Sequence, residues 1–391
     1  MRYRSDKTGK PISQLGFGCM RFTRSGGGID LAKAEAEVCA AIDAGVNYFD
    51  TAYLYPGSED ALGKILERTG RRDRVNIATK LPQYSTHTLA AIDRTFREEL
   101  KRLRTDHVDY YLMHMFTDVR EWEFLRSIGM EAWLDARQAE GSIRAVGFSY
   151  HGDSAMFLKI LDARDWDICQ IQYNYMDETS QAGRAGLHAA AAKGIPVVIM
   201  EPLRGGKLAR LPERAEAVLR ATGRGWSGAQ WGLRWLWDQS EVTCVLSGMN
   251  SLEMVADNCA AAAEAAPGDF TDADRSALEQ VRAILRESEK VGCTGCRYCM
   301  PCPKGVDIPG VFHYYNLLGQ QGRLETVFEY ARNMGLRENP GYPDLCVRCG
   351  KCEQHCPQRL PIREKLREAD RALRPFPVPA AMKLVRRFVV K

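Results

Sequence analysis

Phe49-Asp50-Thr51-Ala52-Tyr53-Leu54-Tyr55-Pro56-Gly57 places an acid and a phenol on either side of one tight connection. The stretch follows the apolar run Val46, Tyr48, Phe49 and leads into an amphipathic segment. It therefore reads as a strand end opening into a loop. A phenol with a pKa of ~10 is a poor acid at neutral pH unless a cation and a shielded site assist it. Two residues offer that help, each closing another apolar run: Lys80 after Ile77-Ala78-Thr79, and His114 after Tyr110-Tyr111-Leu112-Met113.

Outward from this stretch, runs of four to six apolar residues alternate with helical patterns. The pattern predicts strands at Leu15–Met20, Val46–Phe49, Val75–Thr79, Val108–Met113, Ile143–Gly147, Ile168–Ile171, Pro196–Met200 and Val242–Leu246, after a small hairpin over residues 3–15. Leu31, Ala34, Val38, Ala41 and Ile42 form one helical stripe, and Trp122, Leu125, Ile128, Trp133 and Ala136 another. Strands apolar on both faces and separated by helices require a covered parallel sheet. Eight such units close into a (β/α)8 TIM barrel, an α/β architecture whose chemistry sits at the C-terminal strand ends. Asp50, Lys80 and His114 fall at the ends of three successive strands, with Tyr55 in the loop after the first of them. The stretch Glu201–Trp226, rich in Gly and Arg, reads as a loop over that end.

The 391 residues are 45% apolar and 27% charged, ordinary for a globular chain, and allow two or three domains. A net charge of +4 argues against nucleic acid as partner. No apolar run approaches the ~20 residues of a membrane span, and the first residues lack a signal-peptide core. The expectation is a cytoplasmic protein without a transmembrane segment.

Cysteine usage is the exception. Of 13 cysteines, eight lie between Cys293 and Cys356. Cys19, Cys39, Cys169, Cys244 and Cys259 sit singly among apolar residues and read as core packing. The other eight form two runs: Cys293, Cys296, Cys299, Cys302-Pro303, and Cys346, Cys349, Cys352, Cys356-Pro357. The second run is the C-x2-C-x2-C-x3-C-P pattern of [4Fe–4S] ferredoxins, and the first is one residue shorter before its final Cys. Two CxxC pairs also suit a four-cysteine zinc site, but two complete runs ending in Cys-Pro favour two [4Fe–4S] clusters. In two-cluster ferredoxins the last Cys of each run ligates the other cluster. That predicts Cys293, Cys296, Cys299 and Cys356 on one cluster and Cys346, Cys349, Cys352 and Cys302 on the other. Phe312, Tyr315, Leu318, Leu324, Val327, Phe328 and Ala331 mark a helical insert between the runs. The arrangement resembles the α-helical ferredoxin-like domain of electron-transfer subunits.

The earlier part of the chain resembles the aldo-keto reductase superfamily. The likeness runs through Asp50-Thr51-Ala52-x-x-Tyr55, Thr79-Lys80, Asp109-Tyr110-Tyr111-Leu112-Met113-His114 and Gly147-Phe148-Ser149. It continues through Gln170-Ile171-Gln172-Tyr173-Asn174 and Glu201-Pro202-Leu203-Arg204-Gly205-Gly206. It implies a tetrad in which Tyr55 gives a proton to a substrate carbonyl as a reduced nicotinamide gives hydride. Lys80, held by Asp50, favours the phenolate, and His114 orients the carbonyl. By the same resemblance Ser149 and Gln170 hold the nicotinamide carboxamide, and Asp257 and Asn258 meet the adenine. Met200 stands where the family stacks an aromatic ring on the nicotinamide. Gly248 and Met254 stand where NADPH-preferring members carry Lys or Arg. With no local cation for a 2′-phosphate except Arg204 or Arg224 from the long loop, NADH is slightly favoured over NADPH.

The expected organisation is therefore a reductase barrel over residues 1–289, a mainly α-helical iron–sulfur domain over 290–372, and a basic amphipathic tail over 373–391. The tail carries Lys383, Arg386, Arg387 and Lys391. Asp269–Lys290 reads as the helix closing the barrel. The first functional expectation is an oxidoreductase interconverting a small-molecule carbonyl and alcohol, with the clusters as an electron-transfer or structural module. The second is an electron-transfer enzyme coupled through the clusters to a ferredoxin-like partner. Hydride carries two electrons and a cluster one, and no flavin site is predicted to convert between them. A non-enzymatic redox sensor would need no Tyr55 and Lys80 together.

Overall fold

The computed structural model describes residues 1–319, 323–335, 339–380 and 382–383. Its chain divides into two compact units, one of residues 1–203 and 226–273, the other of residues 204–225 and 274–391.

The first unit holds eight strands: β1 (Leu15–Gly18), β2 (Tyr48–Asp50), β3 (Asn76–Leu81), β4 (Val108–Phe116), β5 (Ile143–Tyr150), β6 (Ile168–Gln172), β7 (Val197–Met200) and β8 (Val242–Ser247). They pair in parallel, each with its neighbour in sequence, and β8 returns to β1 to close the barrel. All eight expected strands are present. Their helices are α1 (Leu31–Asp43), α2 (Ser58–Thr69), α3 (Leu89–Leu103), α4 (Val119–Ser127), α5 (Met130–Ala139), α6 (Ser154–Ala163) and α7 (Gly183–Ala192). The expected stripe from Trp122 to Ala136 is two helices rather than one. Gly129, at φ 92°, breaks it in a conformation that costs a glycine little.

Tyr48, Ala78, Tyr110, Leu112, Ala145, Ile168, Val198, Cys244 and Leu246 fill the barrel interior, with Ile12 of the N-terminal hairpin beside them. This core fixes the orientation of the rim, because side chains along a strand alternate faces with a period of two. Asp50 is two residues beyond Tyr48, Lys80 two beyond Ala78, and His114 two beyond Leu112. Ser149, Gln170 and Met200 stand on the same inward rows.

The stretch expected as a loop over the strand ends folds with the second unit instead. It forms a 3-10 segment (Arg204–Ala209) and helix α8 (Glu213–Ala221). Helix α9 (Gly228–Trp237) and α10 (Leu252–Glu264) belong to the first unit. Helix α11 (Asp272–Ser288), expected to close the barrel, runs into the second unit from Asp274 onward. Its carboxylates explain the recruitment. Arg204 Nη1 donates to both oxygens of Glu289, just past α11, at 3.1 and 3.2 Å, and Arg224 Nε donates to Asp274 at 3.0 Å.

The rest of the second unit is mainly helical: α12 (Ile308–Leu317), α13 (Arg323–Tyr330), α14 (Lys351–Gln354) and α15 (Ile362–Leu373). Its core joins Val306, Ile308, Val311, Phe312, Tyr330, Ile362, Leu366 and Leu373, with Cys293, Cys299, Cys302, Cys346, Cys352 and Cys356 packed against it. Within the insert, Phe312 and Tyr315 are buried, whereas Leu324 and Phe328 of α13 are 87% and 66% exposed. Of the expected basic tail, Arg386, Arg387 and Lys391 lie outside the described residues.

Candidate active site and cysteine cavity

The inward parity of β2, β3 and β4 brings Asp50, Lys80 and His114 to one rim, all three buried. Lys80 Nζ donates to Asp50 Oδ1 and Oδ2 at 2.8 and 2.7 Å and to the Thr51 carbonyl at 2.6 Å. Three acceptors thus meet the three N–H bonds of an ammonium. Burial pushes the Asp50 carboxyl up from the ordinary carboxylate value, while the Lys80 ammonium and a hydrogen bond from Gln170 pull it down. The pair is an ion pair shielded from water.

Tyr55 sits half-buried above it. Its ring centre is 5.0 Å from Lys80 Nζ and 5.9 Å from the His114 ring, which meets it edge-on at 82°. Burial, and then the positive charge of Lys80 and neighbouring His151, hold the His114 pKa well below the usual histidine value. At neutral pH the imidazole is uncharged, a hydrogen-bonding group rather than an acid.

The residues expected to meet a nicotinamide lie on the adjoining strand ends. Ser149 Oγ accepts from the Met115 amide at 2.8 Å, and Gln170 Nε2 points to Met200 Sδ at 3.7 Å. Gln170 Oε1 is buried with no hydrogen-bond partner among the described residues. A buried acceptor left unmet costs about 1–3 kcal/mol, so a ligand amide N–H2 suits it. Asn258 Nδ2 donates to Ser247 Oγ at 3.0 Å, while Asp257 accepts from Gln230 Nε2 at 2.5 Å and Ser227 Oγ at 3.4 Å.

The cations proposed from sequence for a 2′-phosphate, Arg204 and Arg224, are instead held by Glu289 and Asp274. A different arginine enters. A Cβ built on Gly248 would lie 3.0 Å from Arg21 Cδ, so the Arg21 side chain crosses the space that a longer residue at 248 would fill. Sequence reasoning missed this because Arg21 follows the first strand and Gly248 the eighth, neighbours only once the barrel closes. It also missed His151, Gln172 and Gln181. His151 Nδ1 lies 3.2 Å from Gln181 Oε1, and Gln181 Nε2 donates to Gln172 Oε1 at 2.8 Å. The signal was present: Gln172 is two residues past Gln170, and His151 two past Ser149.

In the second unit, Cys293, Cys296, Cys299 and Cys356 line one cavity together with Arg297, Phe312, Pro357, Gln358 and Leu360. It holds about 320 Å³ of empty space, counting the part open to solvent. Three of the cysteines come from the first run and one from the second. Burial, and then the neighbouring Cys296, Cys293 and Cys356, push the Cys299 thiol up to about 12. Four thiols crowded around one cavity are a favourable site for a cation that binds thiolates. Burial, Glu353 and Cys346 likewise push Cys352 up to about 11. Cys349 is exposed, and Cys302 is half-buried against the core. Among the described residues no three His, Cys, Asp or Glu side chains converge closely enough for a single metal ion.

Comparison with known proteins follows the same division. Residues 14–279 match the aldo/keto reductase family, and residues 292–360 match a 4Fe-4S dicluster domain. The chain is 28% identical to L-galactose dehydrogenase of Arabidopsis thaliana over 305 residues, 71% of this chain and 92% of that protein. It is 27% identical over 243 residues to an uncharacterized oxidoreductase, YrpG, of Bacillus subtilis strain 168, spanning 56% of this chain and 71% of the relative. The holo form of an aldo-keto reductase from Bacillus halodurans superposes with a TM-score of 0.59 at 26% identity, over 72% of this chain and 96% of that one. An aldo/keto reductase from Klebsiella pneumoniae in complex with NADP and acetate, 24% identical, shares the fold with the same TM-score of 0.59, over 71% of this chain and 94% of that one. The chain belongs to the aldo/keto reductase family, its reductase domain followed by a 4Fe-4S dicluster domain.

Proposed function

We propose that the protein interconverts a small-molecule carbonyl and its alcohol, with Tyr55 as proton donor in the reducing direction. The observation that carries this is the buried Lys80–Asp50 pair set 5.0 Å beneath the Tyr55 ring. A positive charge at that distance in a shielded site stabilises the phenolate left when Tyr55 gives up its proton. Asp50 keeps the ammonium in place, and the neutral His114 orients the carbonyl oxygen beside the phenol. A reduced nicotinamide, when bound, supplies the hydride. Ser149, Gln170 and Met200 would hold its ring, and Asp257 and Asn258 its adenosine. Arg21 gives the site a cation near Gly248, so the NADH preference expected from sequence no longer follows and NADPH is an equal candidate.

The cysteine cavity supports a second component. Cys293, Cys296, Cys299 and Cys356 would hold one [4Fe–4S] cluster, and Cys346, Cys349, Cys352 and Cys302 the other. Such clusters, when bound, supply one-electron chemistry. Half-buried Cys346 is flanked in the chain by Leu345 and Val347, themselves 44% and 58% exposed, and Cys349 three residues on is exposed. An apolar rim around a ligand cysteine favours electron exchange with a ferredoxin-like partner. A reducing, cytoplasmic setting suits eight ligand thiols.

The test is Tyr55→Phe. The variant should bind NADH and NADPH as the parent does, by quenching of protein fluorescence, and lose carbonyl reduction by at least about a hundredfold. Retained turnover would sink the proton-donor assignment.

A further inference from the structure

The upper end of β4 does not pair regularly with β5. Met113 stands opposite Phe148 and Phe116 opposite Tyr150, so β4 carries one residue more than its partner between those points. His114 and Met115 together stand opposite Ser149, an arrangement that is a β-bulge at the barrel rim. Met115 lies at φ 61°, in the left-handed region that a residue with a side chain enters only at a cost. Its amide donates to a side chain, Ser149 Oγ, at 2.8 Å. The pairing resumes beyond it, where the His151 amide donates to the Phe116 carbonyl at 2.8 Å.

The Met115 N–H belongs to the peptide plane that leaves His114, and that plane is rigid. Holding it fixes one of the two backbone torsions of His114, while the pairing of Met113 with Phe148 holds the chain on the other side. Between these two restraints the imidazole is buried and meets the Tyr55 ring edge-on, with ring centres 5.9 Å apart. Ser149 accepts in its bond to Met115, so the one hydrogen of its hydroxyl remains to be donated. Among the described residues that side chain makes no other hydrogen bond.

We infer that Ser149 is a positioning residue: it holds the bulge after His114 and thereby sets the aim of that imidazole at the carbonyl oxygen beside Tyr55. Without the hydroxyl, a strained residue and an amide with no partner would remain at the rim, and both favour relaxation of the bulge. A small error in the aim of a group beside the reacting atoms is costly in rate. The inference rests on the carbonyl-reduction reading above, in which the same hydroxyl would also hold the nicotinamide ring. The two roles separate in kinetics, since holding the nicotinamide moves its dissociation constant and aiming His114 moves kcat at saturating nicotinamide.

The full chain, purified anaerobically, is assayed on 4-nitrobenzaldehyde at saturating NADH and NADPH. Hydrogen exchange of the Met115 amide is followed in parallel, without nicotinamide, by mass spectrometry with residue-level fragmentation. Ser149→Ala should speed that exchange by about tenfold or more and lower kcat by about tenfold or more. Ser149→Ala/Met115→Gly should regain most of the lost kcat, because glycine holds a φ near 61° without a clamp. The nicotinamide Kd of the double variant should stay where Ser149→Ala put it, and a role confined to cofactor binding would not give that rescue. The kcat losses from Ser149→Ala and His114→Ala should also fail to add, because the first acts through the second. Unchanged exchange of the Met115 amide in Ser149→Ala, or losses that add in full, overturns this inference alone. Failure of the parent to reduce the aldehyde with either nicotinamide overturns the carbonyl-reduction reading and this inference with it.

Discussion

Lys80 holds a charge at essentially no exposure, and the structure shows why that is tolerable. Its ammonium has three protein acceptors, two of them the oxygens of one buried carboxylate. Desolvating two charges is expensive, so such a pair adds little net stability but is costly to break from one side. Asp50→Asn should therefore destabilise the protein by about 3–5 kcal/mol, read as a shift of the denaturant midpoint. The double variant Asp50→Asn/Lys80→Met should recover much of that loss, because it removes the stranded charge as well. If the double variant is as unstable as the sum of the two single ones, the pair does not behave as a coupled unit. The identities of Asp50, Tyr55, Lys80 and His114 could be read from the chain because each ends or follows an apolar run. His151 was not singled out although it stands two residues past Ser149 on the same strand register, because its neighbour Gln181 is brought to it only by the fold.

At the scale of elements, α2 and α3 approach more closely than side chains allow. A Cβ added at Gly63 of α2 would meet the Arg102 carbonyl oxygen at 2.3 Å and the Leu103 carbonyl carbon at 2.6 Å. These are backbone atoms and cannot swing aside. The contact is reinforced by Arg102, which donates to buried Glu59 at 3.2 Å, while Thr79 Oγ1 donates to the same carboxylate at 2.6 Å. Gly63→Ala should cost about 1–3 kcal/mol through overpacking, despite the better helix propensity of alanine. Thermal unfolding would check it, and an unchanged Tm would show that the helices can separate freely. The strands were legible within a few residues because burial on both faces imposes continuous apolar runs. The break at Gly129 was not, since the apolar stripe carries on through both α4 and α5.

At the scale of the molecule, two compact units divide the chain in an order that the sequence does not follow. Residues 204–225, lying between β7 and β8, fold with the C-terminal unit. The two cysteine runs are likewise mixed, Cys356 standing with Cys293, Cys296 and Cys299 around one cavity. Protein purified anaerobically should contain about eight iron and eight sulfide per chain, by colorimetric assay. Cys356→Ala should perturb the same cluster signal, by electron paramagnetic resonance, as Cys293→Ala, although the two residues belong to different runs. Separate signals would overturn the crossed assignment, and zinc without sulfide would overturn the clusters.

The sequence by itself determined the barrel and the presence of a metal-type cysteine domain. Both are written in short-range periodicities: alternating buried strands and helices, and CxxC spacing within one turn of chain. It also determined the chemical types at the rim, because a period of two carries a buried core position directly to the residue above it. Only the tertiary structure decided which groups neutralise or polarise one another. Arg204 and Arg224 are paired away by Glu289 and Asp274, Arg21 crosses to Gly248, and Gln181 is brought beside His151. Charge state and hydrogen-bond direction belong to contacts rather than residues, and these contacts join positions that are distant until the chain has folded.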